Sequence, residues 1–202
     1  ARLDRRLELV SAHDFAHVRI LPDTERVIRL LALLAVTVSA PVWPAPPNPI
    51  ALTRKAGLTP ETHEFVFLHV HSHLDVFVNG KKVVVPAGIG IDVHDKAVRK
   101  FTNPQDGTVG YGGISPPCDK PCISPLHTHF DDGILHTEAK KNQFNRLGQF
   151  FTEWGVKLPA RAKVYVDGKR YSGDARTIQL KDKREIAVVV GKPPAHIPSK
   201  FP

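Results

Sequence analysis

The sequence predicts a mainly β fold: an antiparallel β-sandwich or barrel-like domain that carries one short amphipathic helix and follows a helical N-terminal segment. Three observations predict it. Eighteen prolines and fourteen glycines among 202 residues demand many turns and short elements, which disfavours a helical bundle. From about Thr62 onward apolar residues recur at every second position, the signature of a half-buried strand. Two like stretches, VFVNGKK at 76–82 and VYVDGKR at 164–170, lie 88 positions apart, and each carries a dipeptide that tolerates the positive φ of a two-residue hairpin turn. With 42% hydrophobic residues, the chain can bury a core as one domain plus a tail.

At the N-terminus, residues 26–40 read RVIRLLALLAVTVSA: basic residues, an uncharged run from position 30, and a small-residue end at Val38-Ser39-Ala40. That order is the shape of a secretory signal peptide. The run falls short of the roughly 20 apolar residues a membrane-spanning helix needs. A buried helix is the competing reading, and Pro41 disfavours cleavage directly before it. PVWPAPPNP at 41–49 forms a stiff spacer. Residues 1–49 are therefore expected to be a leader or anchor-like segment with a Pro-rich spacer, a route to membrane association, and residues 50–202 a single β-rich domain. Export to an extracytoplasmic compartment would allow Cys118 and Cys122 to form a disulfide. A Cys122 thiolate joining a metal site is equally open, whereas a zinc finger is excluded by two cysteines without CxxC spacing.

The first strand pattern places Val66, Leu68, Val70, Leu74, Val76 and Val78 on a core face interrupted only by Ser72. Its other face holds Phe65, Phe67, His69, His71, His73, Asp75 and Phe77. Asn79-Gly80 turns the chain, and residues 82–85 return. Residues 101–125 show little periodicity and read as a long loop. In NRLGQFFTEWG, Leu147, Phe150, Phe151 and Trp154 share a helical face fit for core packing, with Gly155 as C-cap. Residues 177–180 and 185–190 are expected to close the domain as a strand pair around KDKR.

The formal charge is +8, and residues 157–202 carry most of it, eleven Lys and Arg against four Asp and Glu. These cations are scattered, without the basic helix or aromatic interleaving of a nucleic-acid reader, so solubility or weak attraction to anionic surfaces explains them.

Chemistry concentrates in two histidine segments. LHVHSHLD at 68–75 sets three imidazoles at alternate positions, and LHTHFDDGILHTE at 126–138 holds three more. A two-residue turn at Asp132-Gly133 would oppose His129 to His136 and His127 to Glu138, with Cβ atoms about 4.5–5.5 Å apart. Imidazoles held so close resist joint protonation and stay neutral as ligands. Metal ions take several neutral nitrogen or carboxylate donors about 2 Å away, converging from more than one element. The expected metal-ligating set is His69, His71, His73, His127, His129, His136 and Glu138; His13, His17, His63, His94 and His196 fall outside the pattern.

The expected cofactor is a transition metal ion. An all-imidazole set with one carboxylate suits copper(II) before zinc or iron, and the absence of methionine removes the thioether ligand of many copper sites. The expected role is capture, storage or delivery rather than turnover. One alternative is a mononuclear metalloenzyme with iron or zinc on three histidines, Glu138 or Asp131 as general base and the 101–125 loop as lid. The other is a structural or adhesion module whose two clusters lie far apart.

The chain resembles a group of largely uncharacterised exported bacterial proteins. The shared motifs are an HxHxHLDVFVxGK strand at 69–81, a VPAGIGI return at 85–91, Cys122 followed by LHTH at 126–129, GxxHxE at 133–138 and LGQFFxxWG at 147–155. The resemblance covers about residues 68–198 and departs at Ile123-Ser124-Pro125, where bulkier residues are expected. It implies a metal-binding module that is secreted or membrane-anchored.

Overall fold

Strand β1 (Leu68–Val78) lies at the centre of a seven-stranded mixed sheet. A computed structural model describes residues 43–202; the leader-like segment at 26–40 lies outside the described residues. One edge of β1 pairs in parallel with β9 (Arg184–Val190). Its other edge pairs antiparallel with β6 (Ile134–Ala139) along the first half and with β2 (Lys81–Val83) at the end. Beyond β6 lies β5 (Leu126–His127); beyond β9 lie β7 (Lys163–Val166) and β8 (Lys169–Arg170). A separate two-stranded sheet joins β3 (Arg99–Thr102) to β4 (Val109–Gly112).

The β-rich class holds, and the main sheet is open, with β5 and β8 at its ends, so it closes no barrel. It is also mixed rather than antiparallel, because β9 runs beside β1 in the same direction. Residues 177–180 do not pair with 185–190. They follow a 3₁₀ turn (Ala175–Thr177), and Gln179 contributes one isolated bridge to Arg146. The expected long loop at 101–125 also contains order, since it runs through β4.

Both hairpin turns form. Val78 pairs with Lys81 around Asn79 (φ 50°) and Gly80 (φ 82°), and Val166 pairs with Lys169 around Asp167 (φ 49°) and Gly168 (φ 75°). Positive φ at both central positions is the type I′ requirement, which explains why Asn-Gly and Asp-Gly recur there.

Helix α1 (Pro49–Lys55) and helix α2 (Leu147–Glu153) cover one face of the sheet region. Leu147, Phe150 and Phe151 of α2, with the adjoining Trp154, pack with Leu74, Val76, Leu126, Leu135, Val164, Ile186 and Val188. Each such side chain contributes about 1.5–3 kcal/mol by leaving water. Trp43 closes this core, its ring 5.6 Å from that of Trp154 and its carbonyl accepting the indole N–H at 3.0 Å. Phe77, Ala187 and Val189 pack with Tyr165 and Ile197 as a smaller apolar cluster. Covered on both faces, β1 is buried continuously from Ser72 to Phe77, so its alternation is lost there. Val66 and Phe67 precede the strand and are 74% and 73% exposed, unlike the core position expected for Val66.

Cys118 and Cys122 form a disulfide, buried among Ile91, Ile114 and Ile123, so no Cys122 thiolate is free to bind metal. Among the described residues, no helix is long and apolar enough to cross a membrane.

Candidate metal centre

The histidine face of β1 meets matching faces on β6 and β5. In register, His71 lies opposite His136, His69 opposite Glu138, and His127 opposite His136. Three imidazoles therefore line up across three neighbouring strands. The ring centroids of His127 and His136 are 5.5 Å apart, and those of His71 and His136 are 4.4 Å apart. The expected opposition of His129 to His136 and of His127 to Glu138 is off by two positions. Asp132-Gly133 does not make a two-residue turn; β5 ends at His127, and residues 128–133 form a longer connection.

His129 belongs to that connection and folds back toward the strands. Its ring centroid is 4.7 Å from that of His127 and 4.3 Å from that of His136. Two contacts to β4 hold it: His129 Nδ1–H donates to the Tyr111 carbonyl at 2.6 Å, and Tyr111 N–H donates to the His129 carbonyl at 3.2 Å. A Cβ built on Gly112 (φ 150°) would sit 2.5 Å from His129 Nδ1, so only glycine leaves room for the ring.

Glu138 Oε1 is the hub. Around it stand His69 Nε2 at 3.2 Å, His136 Nδ1 at 3.4 Å, His129 Nε2 at 3.7 Å and His127 Nε2 at 3.8 Å. One donor atom from each of His127, His129, His136 and Glu138 lies within 4.8 Å of all the others, and the same holds for His69, His71 and His136. The ladder on β1 and the imidazoles of β5 and β6 thus share one patch, joined at His136. Exposure is graded: the side chain of His69 is 40% exposed, while His127 is fully buried.

Backbone carbonyls fix which nitrogen is free. His127 Nδ1–H donates to the Ser124 carbonyl at 2.8 Å, as His129 Nδ1–H does to Tyr111. In the neutral rings both Nε2 atoms then carry lone pairs, and these face each other at 3.3 Å. At that distance the two nitrogens need something between them: a proton on His129, giving a hydrogen bond, or a metal ion that replaces it. His136 Nδ1 is buried without a hydrogen-bond partner. Two donors each about 2.1 Å from one ion sit roughly 3.0–3.4 Å apart for right-angled to tetrahedral geometry. The spacings of His69 and His136 to Glu138 Oε1 and of His127 to His129 fall in this range, while His129 and His127 stand 0.3–0.4 Å beyond it from Glu138.

The electrostatics agree. Burial, with His129 and His136 nearby, pushes His127 down to about 3, so it stays neutral. Burial and the surrounding rings also lower His136, and burial with His69 alongside lowers His71. Burial works against charge on Glu138, but the imidazoles of His129 and His136 beside it outweigh that, holding the carboxyl well below the usual carboxylate range. Burial likewise opposes charge on His129, yet Glu138 and the Tyr111 carbonyl raise it. A fixed anion sits among imidazoles, and His129 is raised where His127, His136 and His71 are lowered.

His73 is set apart from the other six residues. Its Nδ1 meets Glu185 Oε2 at 2.7 Å and its Nε2–H donates to the Asp132 carbonyl at 3.0 Å. Burial disfavours its charge, but Glu185 and Asp75 raise it overall. With both nitrogens donating, the ring has no lone pair to offer. Asp75, Glu185 and His73 form a buried acid–imidazole group of their own, with Lys82 Nζ 2.6 Å from Asp75. The partner was readable in principle: Glu185 is the acid in the otherwise apolar run EIAVVV, and it pairs in register with His73. Ser124 and Tyr111 left no signal, since their carbonyls act rather than their side chains.

Three surface clefts of 300, 460 and 570 Å³ are lined by none of the cluster's residues. No family model, characterised protein or solved structure matches the chain.

Proposed function

We propose that the protein is an exported transition-metal-binding module, for copper before zinc, that captures, stores or delivers the ion. The observation that carries the reading is the pair of carbonyl-oriented Nε2 atoms of His127 and His129, 3.3 Å apart beside the buried carboxylate of Glu138. His127, His129, His136 and Glu138 form its core, and His69 and His71 extend it. Preference for copper(II) rests on imidazole chemistry and on the usual order of divalent affinities. Export is supported by the leader-like order at 26–40 and by the Cys118–Cys122 disulfide, a bond that persists in oxidising compartments. Binding is favoured over turnover because the donors face one another around Glu138 and line none of the three clefts described above. Calorimetry of the metal-free full chain with copper(II) and zinc(II) is expected to give dissociation constants below micromolar, with copper the tighter. Binding no tighter than micromolar for either ion overturns the reading.

A further inference from the structure

The geometry points to two adjoining ion positions within this patch: a pre-oriented inner site on His127, His129, His136 and Glu138, and an outer, solvent-facing site on His69 and His71 that shares His136 with it. This inference rests on the metal-binding reading and deepens it.

The first observation is spatial. Donors on opposite sides of one ion are at most about 4.2 Å apart, given bonds near 2.1 Å. The donors fall into two overlapping sets, His127/His129/His136/Glu138 and His69/His71/His136, each compact within 4.8 Å. Two compact sets with one common ring describe two centres. Two shared groups link them. His136 has two ring nitrogens, and its ring lies 4.4 Å from His71 on one side and 4.3 Å from His129 on the other. Glu138 Oε1 stands 3.2 Å from the outer His69 Nε2 and within 3.8 Å of the inner nitrogens.

The second observation is the difference in preparation. The inner rings of His127 and His129 are oriented by the carbonyls of Ser124 and Tyr111. In the outer pair His69 Nε2 and His71 Nε2 meet each other at 2.9 Å, and the His69 side chain is 40% exposed. An oriented, buried set binds tightly and exchanges slowly; an exposed, adjustable pair accepts ions from water quickly. The outer pair is therefore the loading position, and an ion passes inward by exchanging ligands on the shared His136 and Glu138. The ligand class is a pair of divalent transition ions, with the outer one labile.

Copper(II) alone is the probe, added to the metal-free full chain. The wild type is expected to take two ions per chain, and the electron-spin signal per copper is expected to fall on adding the second equivalent, because two copper(II) ions that share a ligand couple magnetically. The H69Q/H71Q variant, its fold checked by circular dichroism, is expected to take one ion and to load at least tenfold more slowly in stopped flow. One ion per wild-type chain, or two with independent spin signals, overturns the two-site inference and leaves the proposed function standing. Loading of H69Q/H71Q at the wild-type rate removes the outer pair's role. No copper bound by the wild type removes both readings.

Discussion

Glu138 is a lone acid enclosed by imidazoles, and its charge decides how the cluster responds to pH. Because His129 is raised above the ordinary histidine value, it keeps a proton in the metal-free protein to a higher pH than His127, His136 and His71, and a metal must displace it. Affinity is therefore full above that raised value and falls by up to about tenfold per pH unit below it. Copper titrations in two buffers of different ionisation enthalpy should show proton release near pH 6.5 that vanishes at high pH; equal release throughout would contradict this. A second acid behaves oppositely. Glu153 is fully buried, neither carboxylate oxygen has a hydrogen-bond partner, and burial pushes it up to about 8. Of the nearby hydroxyls, Thr53 Oγ1 donates to the Pro49 carbonyl, and Ser124 Oγ accepts from Leu126 N–H. Between its ordinary 4.5 and about 8 the folded state holds a proton that the unfolded state has lost, so this residue makes stability fall as pH rises across that window. Glu153→Gln should raise stability at pH 8 by about 1–3 kcal/mol and do little at pH 4, as read by urea unfolding. An equal change at both pH values would show that ionisation is not the cause.

At the scale of elements, the site depends on chain segments that carry no ligand. β4 holds His129 through the Tyr111 backbone and gives it room at Gly112. Gly112→Ala should displace the ring and weaken copper binding 10–100-fold while leaving the main sheet folded, checked by calorimetry alongside circular dichroism. Unchanged affinity would mean that His129 is not a ligand. The Cys118–Cys122 bridge closes a short loop within the cluster of Ile91, Ile114 and Ile123. Its reduction should cost about 2 kcal/mol, measured by denaturation with and without reductant. These elements also mark what could be read from sequence. Period-2 patterning located β1 and its imidazole face, Asn79-Gly80 and Asp167-Gly168 located two hairpins, and the spacing of Leu147, Phe150, Phe151 and Trp154 located α2. Those signals are local. The register of β5 and β6 lies two positions from the one a two-residue turn implies, because Asp132 caps its own backbone, accepting from Ile134 N–H, and gives its carbonyl to His73. β9 beside β1, and His129 beneath β4, are long-range contacts that no local period encodes.

For the molecule as a whole, an ion held by groups from β1, β5, β6 and the 128–133 connection would tie together parts of the sheet that the unfolded chain cannot gather. Binding to the folded state alone stabilises by about 2.7 kcal/mol when free ion is at 100 times the dissociation constant. Thermal unfolding should shift upward with copper(II) or zinc(II) and return on adding a chelator. A downward shift would mean that the unfolded histidines bind better than the folded site.

The parallel neighbour of β1 has a consequence for synthesis. His73 and Glu185 are partners 112 residues apart, and β1 cannot be flanked on that edge until the last strand exists. A ribosome-borne nascent chain that has displayed His69, His71 and His73 must wait through most of the domain's translation before β9 arrives, with a half-clad strand in the meantime. Chaperone protection of that interval, and late acquisition of protease resistance as residues 184–190 emerge, follow from strand order alone.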